Sequence, residues 1–240
     1  MNNDNLRSVF ESCIAPFNLS LTDAIWDRFE VYRALLKEWN EKINLTAITD
    51  DKEIIVKHFA DSLSLYPFIA GKSSTLCDIG TGAGFPGVPL KIVMPDLSVT
   101  LVDSLAKRLT FLETLLGELG LSGVNLVHSR AEDFGRKPGC RDSFDYVTAR
   151  AVAPMNVLLE YCLPSVKPGG KFIAMKGSKD EGSFAGACRK LKGNPVKTET
   201  FQLSCGDETF ERTLFVFEKT APTPPQYPRK PGIPSKKPLN

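Results

Sequence analysis

The stretch Leu76-Cys-Asp-Ile-Gly-Thr-Gly-Ala-Gly-Phe-Pro-Gly87 decides the reading of this 240-residue chain. An apolar run, Thr75 to Ile79, carries one carboxylate, Asp78, and leads into four glycines in eight residues. A short apolar run bounded by glycine reads as a buried strand. The glycines let the backbone turn sharply and let a ligand approach where any Cβ would collide. Pro86 suits the first turn of a following helix, because its missing N–H would have no partner there. Strand, tight loop and helix N-terminus together make the place where an open α/β sheet holds a nucleotide-like ligand.

Two registers of the glycines compete. Gly82-x-Gly84-x-x-Gly87 satisfies the dinucleotide fingerprint, which is a weak match alone. A turn that begins at Gly80 leaves Asp78-x-Gly80-x-Gly82-x-Gly84 instead, which resembles the first motif of S-adenosylmethionine-dependent methyltransferases. A dinucleotide needs helix N–H groups aimed at its pyrophosphate. The sulfonium cofactor has no phosphate and needs a close backbone face with an acid nearby, which Asp78 supplies. A glycine-rich turn with no ligand is the plain structural alternative.

The flanking pattern alternates strand and helix. Strands are predicted at Thr75–Ile79, Ser98–Val102, Val124–His128, Phe144–Thr148 and Lys171–Met175, and a helix at Lys107–Leu119 closed by Gly120. Such alternation implies parallel βαβ units with right-handed crossovers. Val196–Leu203 and Thr213–Glu218, separated by Gly206-Asp207 and short polar residues, read as a hairpin. The expected fold is therefore α/β: a Rossmann-like class I methyltransferase, with a seven-stranded, mostly parallel sheet carrying one antiparallel strand, and an N-terminal helical extension.

That extension, residues 1–70, carries an apolar stripe at Ile25, Phe29, Tyr32, Leu36, Trp39 and Ile43 behind a polar cap at Ser20-Leu-Thr-Asp23. Asp50 or Asp51 can cap a second helix running to about Phe68, on which His58, Asp61 and Ser62 share a face. A helical His beside Asp is also an ordinary structural pair. Residues 71–220 form the expected core. Residues 221–240 form a basic tail, and seven prolines between Thr220 and Asn240 predict an extended chain there.

Charge divides unevenly. Residues 1–70 hold 7 Lys+Arg against 11 Asp+Glu, residues 71–220 hold 19 against 17, and residues 221–240 hold 4 against none. A basic tail hints at a polyanionic partner. The six cysteines are scattered with no C-x-x-C pair, and the two histidines stand seventy residues apart. No zinc site or disulfide framework is expected, but reduced thiols in a cytoplasmic, monomeric protein. No apolar run approaches the ~18 residues a membrane span requires.

Ligands of an open parallel sheet sit outside the carboxyl ends of its strands. Asp103 ends the second strand and can accept ribose hydroxyls. After the third strand, the Ala131 backbone and a carboxylate at Glu132 or Asp133 suit an adenine, although a solvated turn reads equally well. Arg150 is the lone charge in Ala149-Arg-Ala-Val-Ala-Pro154. Lys176-Gly-Ser-Lys179 puts a cation and a flexible turn at the end of the fifth strand.

Several stretches together resemble the small-subunit ribosomal RNA guanine-N7 methyltransferases of type G. These are Trp39-Asn-Glu-Lys-Ile-Asn-Leu-Thr46, His58-Phe-Ala-Asp-Ser-Leu63, the Asp78–Leu90 loop region, Val102-Asp-Ser104, Arg150-Ala-Val-Ala153 and Tyr227-Pro-Arg-Lys-Pro-Gly-Ile-Pro-Ser-Lys-Lys-Pro-Leu239. The resemblance implies S-adenosylmethionine as cofactor, held at Gly80, Phe85, Ala131, Glu132 and Arg150, and small-subunit RNA or the 30S subunit as partner. Asp78, Gly82, Gly84 and Asp103 join the cofactor set by position.

The residues around strand four lack the Asn/Asp-Pro-Pro-aromatic mark of exocyclic adenine methylation, and no Pro-Cys offers the thiolate that cytosine C5 needs. Guanine N7 carries an in-plane lone pair and no proton, so orientation suffices. Asn44, His58, Asp61 and Lys176 are the expected surround of the guanine, and Arg229, Lys230, Lys236 and Lys237 the expected phosphate contacts. A nicotinamide-dependent dehydrogenase, a cofactor-free RNA-binding factor and a methyltransferase with a small-molecule acceptor stay open as rivals.

Overall fold

Alternate residues of the central strands feed opposite faces of one sheet. In the computed structural model, residues 3–69, 74–150, 153–177, 183–205 and 208–240 are described. Strand β1 (Thr75–Ile79) turns Leu76 to one core and Cys77 and Ile79 to the other. The same alternation in β5 (Val166–Lys176) separates Ile173 and Met175 from Phe172 and Ala174. Between and beyond them run β2 (Ser98–Asp103), β3 (Val124–His128), β4 (Phe144–Arg150), β6 (Gly193–Cys205) and β7 (Glu208–Lys219).

The order is β3-β2-β1-β4-β5-β7-β6. Strands β3, β2, β1, β4 and β5 pair in parallel, and β7 lies antiparallel to both β5 and β6. The expected single antiparallel strand is thus β7. The hairpin strands are longer than predicted; Gly206-Asp207 between them lies outside the described residues.

Helices fill the connections and build the extension. Helix Asp23–Ile43 starts where the Thr22 side chain accepts the Ile25 N–H, and ends at Asn44, which takes left-handed backbone at φ 49°. Its buried stripe is Trp26, Phe29, Tyr32 and Leu36. An unpredicted helix, Asn3–Ile14, precedes it and buries Leu6, Phe10 and Ile14, spaced by fours. The second expected helix begins at Asp51, capped by the Asp50 carboxylate, but widens into a π-helix over Ile54–Ala60 before a last α-turn at Asp61–Leu63. Phe10, Phe29, Tyr32 and Phe59 share one core with Leu76, Val99, Leu101 and Leu112 of the sheet region.

The tail corrects the sequence reading most. It is not a free extended strand, because the core supplies partners for its backbone. Arg141 donates to the carbonyls of Thr223, Pro224 and Tyr227 at 2.6, 3.1 and 2.8 Å. The fully buried Lys219 ammonium donates to the Thr223 hydroxyl, the Asp142 carboxylate and the carbonyls of Leu163 and Val166. Glu160, also fully buried, accepts both the Arg229 backbone N–H and its guanidinium. A helical turn, Ile233–Lys236, follows, and Leu239 reaches the core.

Among the described residues no helix is long and apolar enough to cross a membrane, and no group of three or more His, Cys, Asp or Glu side chains is placed to hold a metal.

Removing residues 222–240 strips Glu160 of its arginine, and breaking a buried pair from one side costs about 3–5 kcal/mol. Urea unfolding of the truncated chain is expected to show at least that loss. Unchanged stability would mean that the tail contacts carry no weight.

Candidate cofactor and substrate site

The glycine loop is braced from three sides. Gly80 and Thr81 donate to the Val102 carbonyl at the end of β2. Gly82 donates to Asp103 Oδ2 at 2.9 Å. Asp78 is fully buried beneath the loop, and its Oδ2 accepts the Thr81 hydroxyl at 2.8 Å and the Gly87 N–H at 3.0 Å. Burial pushes its carboxyl up to about 6. Asp78 therefore positions the loop and does not line the cavity above it, contrary to the expectation that it meets the ligand.

Above the loop opens a cavity of about 490 Å³, at the carboxyl ends of β1 to β4. Of the residues expected to hold the cofactor, Gly80, Gly82, Phe85, Asp103, Ala131, Glu132 and Arg150 all line it. At Gly82, φ is +61° and a Cβ would meet nothing within 4 Å, so bare backbone faces the opening. Gly84 is different. A Cβ there would stand 2.7 Å from the Tyr32 hydroxyl, 2.8 Å from Val88 and 2.9 Å from Leu112, so packing between the extension and the core, not the cavity, demands this glycine. A separate contact disfavours the dinucleotide register: the Gly87 N–H that would face a pyrophosphate is already held by Asp78.

Asp103 carries three partners: the N–H groups of Gly82 and Leu105 and the Arg108 guanidinium. A carboxylate offers about four acceptor sites, so it has room for one ribose hydroxyl without displacing Arg108. Glu132 accepts the N–H of Gly232 at 2.9 Å. Gly232 and Ser235 bring the tail into the cavity wall beside Tyr161. The sequence reading missed both tail residues, along with Thr46, Arg108 and Tyr161. Thr46, Gly232 and Ser235 sat in stretches already singled out and Arg108 in a predicted helix, but none was given a role in the site; Tyr161 carried no local signal.

The other wall comes from the extension. Phe85 stacks on Tyr32 at 5.2 Å and on His58 at 4.6 Å, and the Arg150 guanidinium lies 4.9 Å from its centroid. Tyr32 donates to the Ala83 carbonyl, clamping the loop. Arg150 donates to Asp61 Oδ2 at 3.0 Å, to the Lys57 carbonyl at 3.2 Å and to His58 Nδ1 at 3.2 Å. A guanidinium cannot accept, so Nδ1 holds the lone pair and Nε2–H donates to the Thr46 hydroxyl at 2.8 Å. Burial first, then the Arg150 charge, pushes this imidazole down to about 3, which keeps it neutral.

Of the expected surround of the guanine, His58 lines the cavity and the other three do not. Asp61 is fully buried between Arg150 and Arg212, which reaches it from β7 at 2.5 and 3.0 Å. Asn44 is an exposed helix cap. Lys176 donates to the Ala153 carbonyl, and Ser178 and Lys179 after it lie outside the described residues. Arg229 is held by Glu160, whereas Lys230, Lys236 and Lys237 are exposed.

The family model for rRNA small subunit methyltransferase G matches residues 26–210. The chain belongs to that family. A ribosomal RNA small subunit methyltransferase G from Desulfitobacterium hafniense (strain Y51) is 51% identical over 92% of each chain. One from Geobacillus thermodenitrificans is 50% identical over 96% of this chain and 98% of its own. Solved structures are similar in fold alone. P. horikoshii TYW2 in complex with MeSAdo aligns with TM-score 0.54 and 11% identity, over 68% of this chain and 63% of its own. Precorrin-6y C5,15-methyltransferase from Geobacter metallireducens gives TM-score 0.50 and 14% identity, over 67% and 87%.

The family's cofactor, S-adenosylmethionine, fits these residues: the bare backbone at Gly82 leaves room for its close approach, and Asp103 retains an acceptor site for a ribose hydroxyl. The two glycines therefore fail differently when substituted. Gly84→Ala overpacks Tyr32 and Leu112 and should lower stability by about 1–3 kcal/mol. Gly82→Ala should stay folded, at a left-handed cost of about 1–2 kcal/mol, yet bind S-adenosylmethionine at least tenfold more weakly by calorimetry. Wild-type affinity in Gly82→Ala would show that this backbone face is not used.

A His whose folded pKa is depressed contributes stability above its ordinary value that is lost as pH falls. For His58 that window runs from 6.5 down to about 3. The raised Asp78 acts oppositely, contributing below 3.8 and losing that contribution as pH rises through about 6. Subtracting the urea-stability profile of His58→Gln from wild type isolates the first, with a limiting slope of about 1.4 kcal/mol per pH unit. A flat difference would mean that His58 is not held neutral by the fold.

Proposed function

We infer that this chain transfers a methyl group from S-adenosylmethionine to N7 of a guanine in small-subunit (16S) ribosomal RNA, as a monomeric cytoplasmic enzyme. The observation that carries the reading is the cavity over the bare Gly82 backbone, bordered by Asp103, Glu132 and Arg150, in a chain of this family. Bound S-adenosylmethionine supplies an electrophilic methyl group on a sulfonium. Gly80 and Gly82 offer it main chain, Asp103 takes a ribose hydroxyl, Ala131 and Glu132 border the adenine, and Arg150, with three of its N–H groups engaged, offers the remainder to a carboxylate.

The state of the imidazole that lines the cavity supports N7 as the acceptor. His58, the imidazole in the cavity wall, has its lone pair on Arg150 and its N–H on Thr46. It has no site left with which to take a proton. Guanine N7 needs none taken, and alignment alone is worth about 7–11 kcal/mol of barrier in well-oriented reactions. Outside the cavity, Lys230, Lys236 and Lys237 are the proposed phosphate contacts, sequence-independent and salt-sensitive. Arg229 leaves that set because Glu160 holds it.

Incubating the protein and labelled S-adenosylmethionine with naked small-subunit RNA, and separately with 30S subunits, then digesting to nucleosides, should yield labelled 7-methylguanosine by mass spectrometry. Label in another nucleoside, or none with either substrate, refutes the reading.

A further inference from the structure

The Trp39–Thr46 stretch has a purpose that no cofactor contact absorbs. Asn44 turns the chain through left-handed backbone at the end of its helix, and Asn40 Oδ1 accepts the Thr46 N–H at 2.8 Å. Thr46 is thereby fixed against the cavity wall beside His58. Its hydroxyl accepts twice, from His58 Nε2–H at 2.8 Å and from the Ile48 N–H at 3.0 Å. A hydroxyl has two acceptor lone pairs and one proton. Both lone pairs are engaged, and none of the described residues accepts the proton. In this site Thr46 can only donate.

Its position gives that donor a target. The groups suited to adenosine, Asp103, Ala131 and Glu132, stand at the ends of β2 and β3. Thr46 belongs to the flank formed by His58, Phe85 and Arg150, at the β1 and β4 end. The atom beside guanine N7 on the same base edge is O6, an acceptor, whereas adenine presents an amino donor there. We propose that the Thr46 hydroxyl donates to O6 of the target guanine, and that the Arg150–His58 pair makes it a donor only, so that an amino group at this position is refused. The proposal rests on methyl transfer to guanine N7. Wrong-base discrimination of this kind is about tenfold to a hundredfold.

The test uses the full chain and an RNA that the wild type methylates, synthesised with guanine or with 2,6-diaminopurine at the target; the latter keeps N7 and replaces O6 by an amino group. Wild type should prefer guanine by about tenfold to a hundredfold in kcat/KM. Thr46→Ser should keep that ratio. Thr46→Val should bring it close to one, with S-adenosylmethionine affinity within about twofold of wild type. A Thr46→Val protein that keeps the ratio overturns the proposal, as does a loss traced wholly to cofactor affinity. Nitrogen-15 NMR of wild-type His58 gives a check that needs no variant to fold: a proton on Nε2 is expected, and one on Nδ1 overturns the proposal. Absence of N7 product from wild type on guanine RNA refutes the underlying activity instead, and with it the assignment of Thr46.

Discussion

Asp61, itself fully buried, holds two arginines, and the order of the cavity wall follows from that. It sits on the helical segment of residues 51–63, fully buried, with Arg150 from the end of β4 on one oxygen and Arg212 from β7 on both. A buried ion pair contributes little net stability over apolar packing, but removing one partner is severe. What it contributes here is position. Arg150 cannot leave the carboxylate cheaply, so its other N–H group stays on His58 Nδ1, the imidazole stays neutral, and the proton on Nε2 stays aimed at Thr46. One charge thus sets the hydrogen-bond polarity of a wall several residues away.

The extension and the glycine loop depend on one another in a similar way. Tyr32, Phe85 and His58 form a stacked column, and Tyr32 reaches across it to the Ala83 carbonyl. Gly84 is glycine because the tyrosine stands where its Cβ would be. The helices before β1 therefore form part of the mould in which the cofactor loop is cast. Stacked aromatic pairs contribute about 0.5–1.5 kcal/mol beyond burial, enough for the column to hold the loop in shape.

The fold was legible because its signals are local. Apolar runs, glycine punctuation and period-2 alternation placed the strands and the hairpin, and position at strand ends brought Gly80, Gly82, Asp103, Ala131, Glu132 and Arg150 to one cavity. What failed depended on partners far away in sequence. The 58–61–62 spacing correctly put His58 and Asp61 on one helix, but nothing in it revealed that Arg212, 151 residues on, would enclose the carboxylate. Proline content implied an extended tail, yet Glu160, Arg141 and Lys219 dock it. Helix Asn3–Ile14 carries Leu6, Phe10 and Ile14 at every fourth residue, a pattern too short to stand out in the polar opening of the chain.

The docked tail also changes how the two ends of the cavity relate. Gly232 is tied to Glu132 at the proposed adenine end, and within a few residues Lys230, Lys236 and Lys237 face solvent. Charge for a polyanion is thus displayed outside, while the reacting end is lined by a neutral imidazole, a hydroxyl and an arginine already engaged by its neighbours. Phosphate attraction is strong and blind to sequence, so a free ammonium beside the base would draw backbone inward as readily as guanine. On the proposed function, exposed cations outside the cavity and a hydrogen-bond donor of fixed polarity within it would separate holding an RNA from choosing an atom on it.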